Sequence, residues 1–357
     1  MAFPRATGYN NLPNGNFSPV IYSKQVQLAF RKASVVEEVT NSDYFGEIAN
    51  MGDSVKIIKE PEISVQAYNR GTQITAQDID DEDFTLVVDQ ANYYAFKMDD
   101  IEEAHSHINF MSLASDRAAY RLKDQYDQDV LGYLCGFEQS AKHGNANTAR
   151  TSAPGTKAVA SAAANELLST MVLKKGDFDQ ITTGSAGDHS IPVQHRLSGV
   201  TSLPDDRITP LQLINRMGRL LDQQFVDTND RWLIIDPVFI EMLKEEDSKL
   251  VNSDYGGSGL QNGLVLNNLH GFKIYVSNNL PNVGTGPATT GVSNQNSNFG
   301  VIVGGHSSAV ATAQQISKTE SYRDPDSFSD IVRGMHLYGR KILRPEALVT
   351  AKYNVAA

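Results

Sequence analysis

The 357-residue sequence has a single cysteine, Cys135, and no long hydrophobic run. One cysteine cannot form an intrachain disulfide, which fits a protein kept in a reducing compartment. No apolar stretch approaches the ~18 residues that cross a bilayer, and residues 1–10 lack the apolar core of a secretory signal. These absences argue against a disulfide scaffold, a membrane-spanning helix and a secreted protein.

Positive charge is also scarce. Lysine and arginine number 31 against 42 aspartates and glutamates, so the formal net charge is -11. An acidic surface repels phosphate and argues against a dedicated DNA- or RNA-binding module. It does suit a container wall that encloses nucleic acid without gripping it.

The first 20 residues carry little that could form a core. They are rich in asparagine, glycine and proline. Such a stretch buries too little apolar surface to order itself. We expect an arm that becomes ordered on a neighbouring molecule.

Residues 54–98 have the pattern of strand, loop and strand. Ile63, Val65 and Ala67 alternate with polar residues, which is typical of a half-exposed strand. Residues 84–88 and 93–96 are rich in β-branched and aromatic side chains, and they form the predicted returning side. The sequence predicts a long β-hairpin with an acidic distal part, and an isolated hairpin is marginal in water. It should therefore need a partner surface.

The segment from Met98 to Leu131 contains neither glycine nor proline. Carboxylates crowd its start, where they favour the positive end of a helix dipole, and apolar residues recur three or four apart. At 1.5 Å per residue the predicted helix would be roughly 50 Å long.

The second half alternates between helical and strand patterns. Thr209 and Pro210 have the residue types of a helix N-cap and first turn, and a second helix is predicted to open at Pro237. Strands are predicted at 231–235, 272–276, 299–303, 331–337, 340–343 and 347–353. The sequence therefore predicts a mixed α+β fold.

Three motifs invite a catalytic or metal-binding interpretation. Gly305 to Ala309 resembles a nucleophile elbow around Ser307, but alanine stands where the pattern needs its last glycine. Asp78, Asp80 and Glu82 have the spacing of a calcium loop, but Asp83 replaces the required glycine. His105 and His107 are two apart, so on a helix they do not face each other.

No catalytic, metal or cofactor site is expected from these motifs. A serine hydrolase at Ser307 remains a distant alternative.

Several phrases, in order, resemble the major capsid proteins of tailed bacteriophages. They are residues 17–24 (FSPVIYSK), 41–48 (NSDYFGEI), 52–57 (GDSVKI), 93–101 (YYAFKMDDI), 231–237 (RWLIIDP) and 271–281 (GFKIYVSNNLP). The likeness covers most of the chain and is weakest at 142–205 and 284–298. No single phrase is diagnostic, but the ordered set is specific.

The resemblance implies the Hong Kong 97 phage capsid fold, a mixed α+β plate. The implied parts are an N-terminal arm at 1–50, an extended loop at 51–97, a peripheral domain at 98–230 with its spine helix at 98–134, an axial domain at 231–319, and return strands of the peripheral domain at 320–357.

The implied function is that of a shell subunit, not an enzyme. Copies would assemble as pentamers and hexamers in the host bacterial cytoplasm, forming the virion's icosahedral shell around phage double-stranded DNA. No cofactor, membrane or sequence-specific DNA contact is implied. A nanocompartment shell protein of the encapsulin type is the alternative with the same fold.

This sequence differs from some members of the capsid family in two features. The arm motif begins near Phe17, which leaves no room for a fused scaffolding segment, so a separate scaffolding protein and a portal are expected. No lysine lies between Lys59 and Lys97, so a lysine crosslink from the extended loop is not expected.

The arm and the hairpin supply the predicted contacts between subunits. Apolar side chains of the returning strand, or their opposite-face neighbours, should bury against an adjacent copy, and the acidic stretch should meet basic residues there. The predicted contact residues are Phe17, Tyr22, Arg70, Asp78, Asp80, Asp81, Glu82, Asp83, Phe84, Leu86 and Val88.

Overall fold

A computed structural model describes most of the chain between residues 34 and 355. The described residues are 34–41, 54–58, 63–71, 73, 76–78, 83–88, 90–99, 110–135, 167–182, 184–187, 190–194, 207–243, 268–280 and 299–355. The predictions for Phe17, Tyr22, Asp80, Asp81, Glu82, His105 and His107 lie outside these residues.

The described elements are four α-helices and eleven strands. The helices are α1 (Val36–Val39), α2 (Phe110–Leu134), α3 (Pro210–Gln223) and α4 (Pro237–Leu243). The strands are β1 (Ser54–Ile58), β2 (Asp83–Val87), β3 (Gln90–Asp99), β4 (Ser190–Val193), β5 (Arg231–Ile235), β6 (Asn268–Leu269), β7 (Phe272–Val276), β8 (Phe299–His306), β9 (Val310–Arg323), β10 (Ser329–Ile342) and β11 (Leu348–Val355).

A six-stranded sheet in the order β4-β11-β8-β5-β7-β6 forms the centre of the fold. All five residues of β5 are buried, as expected for a strand covered on both faces. Trp232 and Ile234 belong to the core on one face, and Leu233 and Ile235 belong to the core on the other. Period-two alternation therefore gives this sheet two hydrophobic cores.

Helices cover both faces of the sheet. On one side the last turns of α2 bring Tyr126, Val130 and Leu134 into the first core, together with residues of α1. On the other side α3 and α4 supply Met217 and Phe239 to the second core. The result is a three-layer arrangement, because each apolar sheet face needs its own cover.

Helix α3 begins where the sequence predicts. The Thr209 hydroxyl accepts a hydrogen bond from the Gln212 amide, and the Gln212 side chain accepts one from the Thr209 amide. Pro210 occupies the first turn, where its missing N–H costs nothing. The predicted strands at 231–235 and 272–276 and the predicted helix at Pro237 are also confirmed.

The remaining strands form two smaller sheets. Strands β1 and β2 pair as an antiparallel ladder from Ser54–Val87 to Ile58–Asp83, which confirms the base of the predicted hairpin. Strand β3 does not return to β1. It pairs with β10 along its whole length, in a three-stranded sheet of order β3-β10-β9.

Two sequence predictions are therefore wrong in their boundaries. Residues 93–96 belong to the three-stranded sheet rather than to the hairpin. Met98 and Asp99 continue β3 instead of opening the long helix, because they pair with Asp330 and Ser329 of β10. The described helix runs from Phe110 to Leu134, which at 1.5 Å per residue is roughly 37 Å.

The chain's last strand lies in the central sheet. Strand β11 pairs with β8 and β4, whereas β10 pairs with β3 and β9. The boundary expected near residue 320 therefore does not follow the strand pairing. Residues 348–355 share a sheet with 231–235 and 299–306.

Candidate intersubunit surface

Among the described residues, the β1–β2 hairpin packs on the body of its own chain through its base. The backbone of Val87 lies so close to Gly339 of β10 that a Cβ there would clash with the Val87 carbonyl oxygen. Leu86 and Val88 fill a small core with Ala311, Ala313 and Leu343. Any larger residue at position 339 would push the hairpin away from the body.

Beyond that base, apolar side chains point into solvent. Residues 63–69 form no strand within the described structure, although their alternation predicts one. Their side chains are exposed: Ile63 by 70%, Val65 by 96% and Tyr68 by 66%. Ser64 bonds to the Gln77 side chain through both its amide and its hydroxyl, which links the two sides of the loop. We call residues 63–71 the distal segment.

An exposed apolar cluster of this kind marks an interaction site in a soluble protein. Single exposed apolar residues are ordinary, but here three fall within six positions of one segment. Ile58 and Val87, at 78% and 45% exposure, extend the apolar surface toward the hairpin base. Within the described structure, residues 63–71 are all exposed. The segment therefore gains no apolar burial there that would offset the entropy lost when it becomes ordered.

The predicted contact residues divide between the chain's own core and its surface. Leu86 and Val88 are buried within their own chain, so the surface that β2 leaves for another molecule is the opposite face with Val87. Arg70 and Asp78 are both exposed on the loop. Asp83 and Phe84 lie in β2, paired with Ile58 and Ile57.

Residues 34–36, which fall within the predicted arm at 1–50, are fixed to the long helix. One carboxylate oxygen of Asp127 accepts hydrogen bonds from the Ser34 hydroxyl and from the amides of Val35 and Val36. Its second oxygen accepts a bond of 2.8 Å from the Asn279 side chain. A buried carboxylate with this many donors supplies partners to amides of α1 that the helix itself cannot satisfy.

The long helix is also tied to the three-stranded sheet by buried polar groups. The Tyr338 hydroxyl donates to Asp129 and accepts from the Asn92 side chain. Burial, followed by the neighbouring Asp129 charge, raises the pKa of Tyr338. Tyr338 also packs edge-on against Tyr126, with ring centroids 4.9 Å apart, so these contacts join α2, β3 and β10.

One face of the three-stranded sheet carries further exposed aromatic and apolar residues. Tyr93 is 74% exposed, and Met335, its register partner on β10, is 41% exposed. Beside them Arg333 pairs with Glu320 at 2.8 Å and lies over the Tyr322 ring. A face that mixes exposed aromatics with paired charges has the composition of an interface surface.

The turn around Ser307 lacks the context of a nucleophile elbow. That motif needs a strand that turns into a helix, whereas here a three-residue helical turn, Ser307–Ala309, joins β8 to β9. The His306 ring nitrogen lies 2.8 Å from the Ser308 hydroxyl, within the same turn. This geometry describes a tight connection between strands.

No group of three or more His, Cys, Asp or Glu side chains in the described ranges could hold a metal ion. Within the same part of the chain, no helix is both long and apolar enough to cross a membrane.

Comparison with known proteins gives a likeness at the level of structure. No protein-family model and no curated protein matches the sequence. A chain from a structure of Mycobacterium phage Che8 is 23% identical, with a TM-score of 0.66 over 95% of this chain and 98% of that one.

Two capsid structures extend the likeness. A chain from the capsid of cyanophage P-SCSP1u is 18% identical, with a TM-score of 0.60, and covers 96% of this chain and 94% of its own. A chain from the capsid of Ralstonia phage GP4 is 10% identical, with a TM-score of 0.62 over 100% and 99%. Over nearly its full length, this chain has the mixed α/β fold found in these phage capsid structures.

Proposed function

We propose that the chain is the major capsid protein of a tailed bacteriophage and that its copies assemble into the icosahedral shell around double-stranded DNA. The observation that carries the proposal is the fold, which matches phage capsid chains over nearly the full length and not in one domain only. The chemistry of the surface agrees, because several large apolar side chains, such as Val65 at 96% and Ile58 at 78%, are exposed.

The parts of the Hong Kong 97 type of capsid fold can be proposed on this basis. Helix α2 corresponds to the spine helix, and the β1–β2 hairpin with its distal segment corresponds to the extended loop. The three-stranded sheet would belong to the peripheral domain. The central sheet with α3 and α4 would form the axial domain, and β11 would belong to it.

This division explains why the hairpin is built as it is. Its base is held against the body by the close approach at Gly339 and by Leu86, while nothing in the described part of the chain covers its distal segment. We call the hairpin with its distal segment a strap. It buries its exposed apolar side chains only when it lies on an adjacent copy, so ordering of the segment is coupled to association of the subunits. Pentamers and hexamers of one chain require such adjustable contacts between rigid bodies.

Other partners follow from the same proposal. A separate scaffolding protein and a portal would act during assembly in the host cytoplasm. The net charge of -11 would keep the wall from holding the packaged DNA tightly, because like charges repel. Contacts with DNA would then be few and independent of sequence.

The first experiment is expression of the full chain, followed by electron microscopy of the purified product. Closed shells or capsomers support the proposal, and a stable monomer under all conditions contradicts it. Nuclease-protected DNA in particles from the native source would separate a phage shell from a nanocompartment.

A sharper experiment compares two variants of the distal segment. Changing Ile63, Val65 and Tyr68 to serine removes the exposed apolar groups, whereas changing Gln66 and Gln73 to serine removes only exposed polar ones. Both proteins should fold like the original by circular dichroism. The apolar variant should form no shells and the polar variant should assemble normally, and equal assembly of the two would rule out the strap.

A further inference from the structure

Phe225 stands out among the exposed residues. Its side chain is 95% exposed, and its backbone has φ +57, in the left-handed region. It follows α3 directly, at a position where helices usually place glycine, because a Cβ there crowds the backbone. The chain therefore holds a bulky aromatic residue in a conformation that disfavours it, and in full contact with solvent.

The loop that carries Phe225 is braced from within. Arg231, whose side chain is only 4% exposed, forms an ion pair with Asp222 at 2.8 Å. The same guanidinium donates to the carbonyl oxygens of Val226 and Asp227. Val226 packs against both hydrophobic cores. With the residues on both sides fixed, the Phe225 ring is displayed outward on a rigid support.

Strained backbone persists where the surrounding structure imposes it, and it concentrates at functional positions. A rigid, exposed aromatic residue is the kind of group that anchors protein interfaces, because little side-chain freedom is lost on binding. The rim of the loop is acidic, because Asp227 and Asp230 are exposed, while the exposed Asp222 is paired with Arg231. The complementary surface should therefore be apolar and basic.

We propose that Phe225 docks on the distal segment of a second copy of this chain. The distal segment has the complementary chemistry: three exposed apolar side chains, Arg70, and no carboxylate between residues 63 and 71. This inference rests on the proposed shell function, because it joins one surface of each copy to a different surface of the next. A head-to-tail contact of that kind generates a closed ring when the rotation between copies closes, as in a pentamer or hexamer.

The first test separates docking from a structural role. Phe225→Gly removes the ring and also the left-handed strain, so the isolated subunit should keep its melting temperature or gain about 2 °C. The concentration needed for assembly should rise about tenfold or more, as for loss of an interface anchor. Phe225→Tyr keeps the anchor and should assemble within about twofold of the original chain. A lower melting temperature with normal assembly of Phe225→Gly would overturn the proposal.

The second test identifies the occupant by exchanging charges. Arg70→Glu should weaken assembly, because it places a carboxylate against an acidic rim. Gln223→Lys adds a cation beside Phe225 at an exposed helix end that tolerates it, and it should weaken assembly of the original chain. The two changes together should restore assembly.

The results of these experiments distinguish the Phe225 contact from the proposed shell function. Shells from the original chain together with normal shells from Phe225→Gly reject the Phe225 contact and leave the shell function standing. Loss of assembly in Phe225→Gly without rescue by the charge exchange rejects the distal segment as the occupant. Absence of shells from the original chain rejects both proposals.

Discussion

The central sheet and the distal segment use the same residue types to opposite effect. In the sheet, Ile234, Val303 and Tyr353 are fully buried. In the distal segment, Ile63, Val65 and Tyr68 are between 66% and 96% exposed. The side chains do not differ, but their cover does, because helices lie on both faces of the sheet and nothing described in the chain lies on the segment. Apolar alternation shows that a surface will be buried, not which molecule will bury it.

Apolar burial therefore stabilises the folded subunit in one region and the assembly of subunits in the other. Burying an isoleucine, valine or similar side chain stabilises a structure by roughly 1.5–3 kcal/mol. In the central sheet this free energy belongs to folding of the subunit. In the distal segment it is gained only on association, where part of it offsets the ordering of the strap.

The largest effect on folding is expected from Phe239→Ala. Phe239 is fully buried between α4 and the sheet and packs edge-on against Tyr353, with ring centroids 5.2 Å apart. Removing the ring should lower the free energy of unfolding by about 4 kcal/mol, because a cavity remains in a doubly covered core. Denaturant unfolding of the subunit measures the loss, and a change below about 1 kcal/mol would contradict the assignment of this core.

The next largest effect is expected from Asp127→Ala. The substitution leaves the buried amides of Val35 and Val36 and the Asn279 side chain without their acceptor. The free energy of unfolding should fall by about 3 kcal/mol. Asp127→Asn keeps one acceptor oxygen and should cost roughly half as much. Equal losses in the two variants would show that the carboxylate's hydrogen bonds are not what fixes this segment.

A smaller effect is expected from pH through His336. Burial lowers the pKa of His336 below 6.5, partly opposed by the charge of Glu37. The unfolded chain therefore takes up this proton first as pH falls, so its contribution to stability is complete above about pH 6.5 and declines below it. Unfolding measured at pH 7.5 and 5.5 should show a weaker pH dependence in His336→Phe. An unchanged dependence would exclude His336 as its source.

The smallest effect on the subunit is expected from Val65→Ser. A residue that is 96% exposed should change the free energy of unfolding by less than about 0.5 kcal/mol. The same substitution should weaken assembly, which sharpens the contrast with the central sheet. A large loss of subunit stability would mean that Val65 is covered within its own chain.

The sequence predicts best where local chemistry decides the structure. Thr209 and Pro210 mark the start of α3 because the capping bonds and the fixed proline torsion act within one turn. Residues 231–235 form a buried strand as their continuous apolar run indicates.

Prediction fails where distant pairing decides the structure. Met98 and Asp99 suit the start of a helix, yet they extend β3 because β10 lies beside them. Residues 93–96 pair with the same distant strand and not with the hairpin. Nothing in a local window identifies a partner more than 200 residues away.

The contact surface shows the same limit. Leu86 and Val88 alternate like exposed anchors, but Ala311, Ala313 and Leu343 bury them. Phe225 was not among the residues singled out from the sequence, and its exposure and φ of +57 are seen in the structure. A phenylalanine directly after a helix, at the position that favours glycine, is the signal that could have revealed it.

The most direct test of the account is a cryo-electron microscopy structure of shells assembled from the full chain. We expect Val65 and Tyr68 to lie buried against an adjacent copy, while the central sheet keeps its two hydrophobic cores. A shell in which both side chains stay in solvent, or fold back onto their own chain, would contradict it.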